Sequence, residues 1–105
     1  MRFYKKLYIS PSLQKKKRQI VWRLKMGKVL PFVYVITLAE QNDLMNIYQG
    51  IVLKQPYYRK NPPFVIGIAD SHGAAVELVQ HILMDIHDKT GSYDIRAFCL
   101  QHNKG

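Results

Sequence analysis

The sequence predicts an α/β fold, a small open and mostly parallel sheet of three to four strands with helices on both faces. Two short apolar runs, residues 32–38 and 64–69, are rich in β-branched side chains and have the composition of buried strands. Between and after these runs, apolar residues recur at spacings of three and four, which is typical of amphipathic helices. The predicted element order is β-α-β-α-β-α-β.

The first half of the chain is predicted to contain two strands and two helices. Residues 2–9 alternate in side-chain character and are assigned to an edge strand. A helix is predicted over residues 11–26, because proline occupies its first position and Gly27 follows its end. Residues 32–38 form the most strand-like run and are predicted to be central. The apolar spacing predicts a second helix that opens at Asn42-Asp43 and either ends at Gly50 or continues to Gln55.

The second half is predicted to be a βαβ unit. Residues 64–69 are expected to be a strand that is buried on both faces. A helix is predicted to begin within Asp70–Gly73, which offer cap chemistry, and to end before Gly91, a residue suited to a left-handed helix end. Residues 93–100 are predicted to be extended. The two strands would then be parallel neighbours with a right-handed connection.

Length and composition favour one globular domain, residues 1–105, with a core of its own. The chain is 48% hydrophobic and 22% charged. Its one cysteine, Cys99, lies between apolar neighbours and is predicted to be a buried thiol in a reducing compartment. No run resembles a signal peptide or approaches the roughly 20 apolar residues of a membrane span. We therefore expect a cytoplasmic protein without a membrane partner.

The net charge of +9 is concentrated at the start of the chain. Residues 1–28 hold ten of the sixteen Lys and Arg residues and no acidic residue. The remaining 77 residues hold six basic residues and seven acidic ones. Such a local excess of positive charge indicates a surface that faces a polyanion, more than a charge that only keeps the protein soluble.

The predicted first helix separates an apolar face from a basic face. Its apolar face comprises Leu13, Ile20, Val21 and Leu24. The opposite face comprises Lys15, Arg18, Trp22 and Lys25. We interpret this second face as a contact surface for nucleic acid or another acidic partner, in which cations bind phosphates and the indole stacks on a base.

Two other interpretations of this face stay open. The lysines and arginine can be a solvated helix surface, with Trp22 packed on a neighbouring loop. Alternatively, Trp22 can pack against a second copy of the chain, which makes the protein a homo-oligomer. A membrane surface is not expected as the partner, because the apolar face of this helix is needed to cover the sheet.

The segment 55–63 is predicted to be an exposed connection, since it contains three prolines. It repeats the mixture of aromatic and basic residues and extends the predicted binding surface through Tyr57, Tyr58, Arg59 and Lys60. The sequence carries no RNP, KH or helix-turn-helix signature. Affinity without base specificity is therefore expected.

A second candidate site lies in the two loops that follow predicted parallel strands, Glu40–Asp43 and Asp70–Gly73. Backbone N–H groups at the start of the following helix, with Ser71, His72 and Gly73, predict a site for a small anionic ligand. The acidic side chains of Glu40, Asp43 and Asp70 can instead converge on Mg²⁺, or these polar residues only cap helices.

No catalytic motif is present in the sequence. The glycine-rich phosphate loops and the nucleophile elbow are all missing. We therefore predict no catalytic residue, no metal ligand and no cofactor. The favoured function is that of a non-catalytic binding module, and a ligand binder or enzyme at the strand-end loops is the alternative.

Overall fold

A four-stranded mixed sheet organises the computed structural model, which describes residues 2–28, 32–39 and 45–101. The strands are β1 (Arg2–Ile9), β2 (Tyr34–Leu38), β3 (Met45–Gln49) and β4 (Phe64–Ala69). Their order across the sheet is β1-β4-β2-β3, with β1 and β3 at the edges. The predicted α/β class and number of strands are confirmed.

The prediction of a mostly parallel sheet is wrong. β1 pairs with β4 in parallel, whereas β2 is antiparallel to both β4 and β3. The register between β2 and β4 shifts after Ile36, which lies opposite Gly67, because Thr37 lies opposite Val65. A β-bulge at Ile66 accounts for this shift, and it is a common irregularity of antiparallel pairs.

The helices follow the strands in an order that differs from the predicted alternation. A 3₁₀ helix (Pro11–Lys16) continues into α1 (Lys17–Lys25), and a second 3₁₀ helix (Gly50–Lys54) precedes α2 (Pro56–Lys60); α3 (His72–Thr90) and α4 (Ile95–Gln101) follow β4. The first predicted helix is therefore present, with a 3₁₀ first half. The proline-rich segment contains a short helix that the sequence analysis excluded.

Two predicted elements are wrong. Met45–Gln49 is a strand, although the sequence predicted a helix that opens at Asn42-Asp43 and ends at Gly50 or Gln55. Ile95–Gln101 is a helix, although residues 93–100 were expected to be extended. The predicted βαβ unit in the second half is thus absent from the described residues, since β4 is followed by two helices.

Helices cover both faces of the sheet, as predicted. On one face, α3 and α4 pack on the inner strands through side chains that include Ile36, Ile66, Ile82, Ile86 and Phe98. On the other face, α1 packs on the sheet through Ile20 and Leu24, which contact a cluster that includes Val35, Val65 and Ile68. All six residues of β4 are buried, which explains why its sequence is apolar without alternation.

The predicted end of α3 is confirmed, and its start lies within the predicted cap segment Asp70–Gly73. Ser71 is the N-cap residue, and its hydroxyl accepts a hydrogen bond from the backbone N–H of Ala74 at 3.0 Å. Gly91 ends the helix with a φ of 75°, in the left-handed region that glycine adopts without a steric penalty.

Candidate functional site

A groove runs between the edge strand β1 and helix α1. Among the strands that the structure describes, β1 is the last in the sheet, and none pairs with its outer edge. Ile20 and Leu24 pack α1 on the sheet. The side chains beside them on the helix surface face β1. The groove encloses about 330 Å³. We call this surface the cationic groove, because basic side chains line it.

The cationic groove combines positive charge with aromatic surface. Its lining includes Lys5, Lys17, Arg18, Lys25 and Trp22. The Trp22 side chain is 57% exposed, so its ring face is available to a partner. Each base that stacks on such a ring contributes about 1–3 kcal/mol to the binding free energy.

The floor of the cationic groove is apolar. It is formed by Phe3 and Leu7 of β1 and by Val21 of α1. The ammonium group of Lys25 lies 5.6 Å from the centre of the Phe3 ring, a cation–π distance. This contact fixes the Lys25 head group at the groove rim without neutralising its charge.

A smaller hollow continues the cationic groove past the end of α1. The hollow encloses about 230 Å³ and is lined by Lys25, Lys28, Lys54 and Tyr58, among others. Lys25 lines both depressions. The positively charged surface therefore passes from α1 to the second 3₁₀ helix and to α2.

Tyr58 connects the hollow to a third depression, the tyrosine pocket, at one end of the sheet. The tyrosine pocket encloses about 600 Å³. Its lining includes Tyr48, Tyr57 and Tyr58, together with two arginines, Arg2 and Arg96. The three depressions thus form one connected surface in which neighbouring members share Lys25 or Tyr58.

Positive and negative charges are separated in the fold. Among the described residues that line the three depressions, none is Asp or Glu. The described carboxylates all belong to the segment that contains α3 and its flanking loops: Asp70, Glu77, Asp85, Asp88 and Asp94. Asp70 contacts Ser12, and the other four belong to α3 or to the segment that follows it, so none of the described carboxylates lines the cationic groove.

The structure brings together most of the predicted polyanion-binding residues. Arg18, Trp22 and Lys25 line the cationic groove, and Tyr57 and Tyr58 line the tyrosine pocket. Two others, Lys15 and Lys60, are not part of these linings. Lys15 is exposed in the first 3₁₀ helix, Lys60 is exposed at the end of α2, and the Arg59 side chain lies outside the described part of the structure.

Phe3, Lys5 and Lys17 are among the residues of the cationic groove that the sequence did not assign to a binding surface. Residues 2–9 were interpreted only as an alternating edge strand, and Lys17 was not placed on the basic face of the predicted helix. Their role depends on the packing of α1 beside β1, which brings both elements to one groove. The sequence signal for Lys5 and Lys17 was the concentration of basic residues in 1–28, to which both belong.

The loop Asp70–Gly73 is explained by hydrogen bonds within the protein. The Asp70 carboxylate accepts a hydrogen bond from the Ser12 hydroxyl, and Ser71 caps α3. The His72 ring packs edge-on against Tyr34, with ring centres 6.2 Å apart. These contacts tie the loop to neighbouring elements and are the contacts expected of a structural role.

The other predicted strand-end loop, Glu40–Asp43, lies outside the described residues. Glu40, Asp43 and Asp70 were predicted to converge because the two loops would follow parallel strands, β2 and β4. They are antiparallel, with Tyr34 opposite Ala69, so the C-terminal ends of the two strands point to opposite ends of the sheet. In the described part of the chain, no group of three or more His, Cys, Asp and Glu residues is arranged to hold a metal ion.

Cys99 is buried, as predicted from its neighbours. Burial raises the pKa of its thiol to about 12, because the thiolate would lose its hydration. The side chain is therefore a neutral thiol at physiological pH and serves as a small apolar group of the core.

Within residues 2–28, 32–39 and 45–101, none of the helices has the length and apolar character that crossing a membrane requires. Comparisons of the chain with protein-family models, with curated proteins and with solved structures found no match.

Proposed function

We propose that the protein is a non-catalytic binding module whose cationic groove contacts single-stranded nucleic acid. The observation that carries the proposal is the lining of this groove, which has four basic side chains, an exposed tryptophan and no carboxylate among the described residues. Surfaces that bind single strands combine these two elements, since the cations track the phosphates and the aromatic rings stack on the bases.

A single strand is favoured over a duplex because the binding surface offers ring faces. Trp22 and Tyr57 are both more than half exposed. Stacking on such rings requires bases that have left the double helix, whereas duplex DNA presents only base edges in its grooves. An acidic protein segment would use the cations but would leave the flat aromatic faces without a matched partner.

The alternative site at Asp70–Gly73 receives less support. Binding of an anion there would place it beside the Asp70 carboxylate, which repels it. The hydroxyl group of Ser71 already accepts the hydrogen bond that caps α3. A homo-oligomer that buries Trp22 competes directly with the proposed function and is tested in the same experiment.

The test uses the fluorescence of Trp22, the only tryptophan in the chain. The protein is titrated with single- and double-stranded oligonucleotides of the same sequence, at low and at moderate salt. We expect a red-shifted emission of the free protein, quenching by the single strand, and recovery when salt is added. Emission that depends on protein concentration and ignores the oligonucleotides would show that Trp22 lies in a subunit interface.

A matched pair of variants assigns the binding to the groove. Arg18→Gln removes one positive charge from the lining, and Lys89→Gln removes one from α3 on the opposite face. Arg18→Gln should weaken binding roughly fivefold and reduce the slope of log affinity against log salt by about 0.7. Equal losses in both variants would mean that only net charge matters, and the groove proposal would then be abandoned.

A further inference from the structure

The smaller hollow past the end of α1 gathers positive charge in a confined space. Its lining includes three lysines, Lys25, Lys28 and Lys54, and no carboxylate among the described residues. The ammonium groups around this space of about 230 Å³ repel one another in the free protein. A bound anion removes this repulsion, so the hollow favours an anionic ligand.

Two separate elements present these lysines. Gly27 turns the chain at the end of α1 with a φ of 73°, and the Lys28 N–H donates a hydrogen bond back to α1 at 3.0 Å. The second 3₁₀ helix carries Lys54 in its last turn, and its first residue, Gly50, donates a hydrogen bond to the Val33 carbonyl at 2.7 Å. The backbone on both elements is therefore ordered before a ligand binds, which lowers the entropic cost of binding.

The remaining lining suits a phosphate group better than a base. Leu24 and Leu53 are buried and form the floor of the hollow. Tyr58 also lines the hollow, but it is partly buried and packs against Tyr48, with ring centres 5.3 Å apart. Its ring is thus less accessible for stacking than that of Trp22 in the cationic groove. The hollow offers mainly positive charge.

A phosphate at the end of a strand fits three lysines better than an internal phosphate does. An internal phosphodiester carries one negative charge. A terminal phosphomonoester carries about −1.5 to −2 charges at pH 7 and has three acceptor oxygens. Because each lysine ammonium group brings one positive charge and three donors, three lysines match the terminal group more closely.

The positive charge that a strand can meet decreases beyond the hollow. The tyrosine pocket, which follows past Tyr58, has two arginines and no lysine among its described lining residues. The Arg2 guanidinium lies over the Phe64 ring, 5.0 Å from its centre, and the Arg96 guanidinium donates a hydrogen bond to the Ala39 carbonyl. Both arginines therefore already have contacts within the protein. A strand in the cationic groove is accordingly expected to end at the hollow.

We infer that the hollow binds the terminal phosphate of a single strand, so that the protein recognises strand ends. The inference rests on the proposed function and deepens it, because the same surface then distinguishes a phosphorylated end from internal nucleotides. Lys25 lines both the groove and the hollow, so the two sites are continuous. The chemistry recognised is that of a phosphomonoester, which a strand carries at its 5′ or its 3′ end.

The test compares three short oligonucleotides of one sequence, which carry a phosphate at the 5′ end, a phosphate at the 3′ end, or hydroxyl groups at both ends. Binding is followed by the fluorescence of Trp22. We expect the wild type to bind one of the phosphorylated strands about tenfold more tightly than the hydroxyl-ended strand. Preference for either phosphorylated strand supports the inference and identifies the end that lies at the hollow. Equal affinity for all three strands overturns it.

Two double variants of equal net charge assign the preference to the hollow. Lys28→Gln with Lys54→Gln removes two of the three lysines and leaves Lys25, which also lines the groove. Lys6→Gln with Lys89→Gln is the control, because Lys6 and Lys89 line none of the three depressions. The first variant should bind all three strands with similar affinity, and its quenching by the hydroxyl-ended strand shows that it is folded. The control should keep the tenfold preference. Equal loss of preference in both variants overturns the inference, since net charge alone would then explain it.

The charge of the ligand provides a second readout. The second pKa of a terminal phosphate is about 6, so this group loses most of one negative charge between about pH 7.5 and pH 5.5. The preference of the wild type for the phosphorylated strand should therefore fall about threefold over this range. The hydroxyl-ended strand is the internal reference, because it reports any effect of pH on the protein. A preference that does not change with pH contradicts recognition of a phosphomonoester.

The two proposals fail in different ways. If the three strands bind equally and Arg18→Gln weakens all of them, the inference is overturned and the proposed function stands. If only a phosphorylated strand binds, and the substitutions at Lys28 and Lys54 abolish that binding, the phosphate site stands and the groove proposal fails. Absence of binding by all three strands overturns both.

Discussion

The Tyr8 hydroxyl donates a 2.5 Å hydrogen bond to the Asp85 carboxylate and so joins β1 to α3. The two residues are 77 positions apart in the sequence. The Asp85 carboxylate also forms a salt bridge with Lys89, one helical turn further along α3, with 3.3 Å between Nζ and Oδ2. Edge strand β1 is thus anchored on the α3 face by a charge-assisted hydrogen bond, while its other face forms the cationic groove.

Tyr8→Phe should lower the free energy of unfolding by about 1.5–3 kcal/mol at neutral pH, because a hydrogen bond to a charged group is lost. Urea unfolding of the variant and the wild type measures this difference. Tyr93→Phe is the matched control, since Tyr93 is exposed and its ring stacks on His87 instead of contacting Asp85. An unchanged midpoint in Tyr8→Phe would show that the bond contributes nothing to stability.

The same pair predicts how stability changes with pH. The hydrogen bond from Tyr8 holds the pKa of Asp85 below its usual value of 3.8, and burial with this bond raises the pKa of Tyr8 above 10.0. Asp85 adds to the free energy of unfolding above pH 3.8, and this stabilisation is lost as the pH falls below that value. Tyr8 adds to the free energy of unfolding below pH 10, and this stabilisation is lost as the pH rises above that value. Tyr8→Phe should therefore unfold with a weaker pH dependence at both extremes. A dependence as steep as that of the wild type would contradict this assignment.

The unpartnered Thr37 hydroxyl makes a prediction about the free protein. Thr37→Val keeps the shape of the side chain and removes the buried polar group, so we expect it to raise the free energy of unfolding by about 1 kcal/mol. Ser10→Ala is a parallel case, because the Ser10 hydroxyl is also buried without a partner among the described residues. Ser10 does not line the tyrosine pocket. Thermal unfolding without ligand measures both. A less stable Thr37→Val variant would mean that the hydroxyl is already satisfied.

Gly67 is required by the close approach of α3 to the sheet. A Cβ atom at this position would lie 3.1 Å from Cδ1 of Ile36 and 3.3 Å from Cδ2 of Leu78, both shorter than ordinary contacts. Gly67→Val should therefore lower the free energy of unfolding by about 1–3 kcal/mol through overpacking. Gly73→Ala is the control, since no atom lies within 4 Å of its added Cβ and alanine favours the helix. Chemical unfolding that ranks the valine variant as stable as the control would contradict the packing argument.

Loss of the helix cap should have a smaller effect. Ser71→Ala removes the side-chain acceptor for the Ala74 N–H, and we expect a loss of about 1 kcal/mol in unfolding free energy. Ser71→Asp should retain most of the stability, because a carboxylate also caps and favours the positive end of the helix. Equal destabilisation by both substitutions, measured by urea unfolding, would show that the cap is not the source of the effect.

Elements with one strong local signal could be predicted from the sequence. The run Phe64–Ala69 is apolar throughout, and it is a strand buried on both faces. Ser71 and Gly91 mark the ends of α3 because cap chemistry is local. Ile20 and Leu24 face the core because helical spacing alone decides which residues share a face.

The errors arose where local patterns are ambiguous. In Met45–Gln49, apolar side chains lie on both faces of the strand, so apolar and polar residues do not alternate strictly. Together with the flanking apolar residues, this spacing also fits a helix. In α4, the signal was present but overlooked: Asp94 accepts a hydrogen bond from the Ala97 N–H at 3.1 Å, and Ile95, Phe98 and Cys99 have helical spacing. The direction of β2 has no local signal, because it depends on pairing with β4.

The candidate site was predicted only in part for the same reason. The basic face of α1 could be read from the helix period, but the cationic groove needs β1 beside it. The tyrosine pocket gathers Arg2, Thr37, Tyr57 and Arg96 from distant parts of the sequence. No spacing rule brings such residues together, since their proximity follows from the strand order.

The position of β1 has a consequence for how the chain is made. Its parallel partner is β4, with Phe3 opposite Val65, so the residues between them are synthesised before the pair can form. Until then the backbone and the apolar side chains of β1 are unpaired, and such segments promote aggregation. Its exposed Lys5 and Lys6 place repelling charges on every nascent copy. The lysine that helps to line the groove in the folded protein thus also keeps unfinished chains apart.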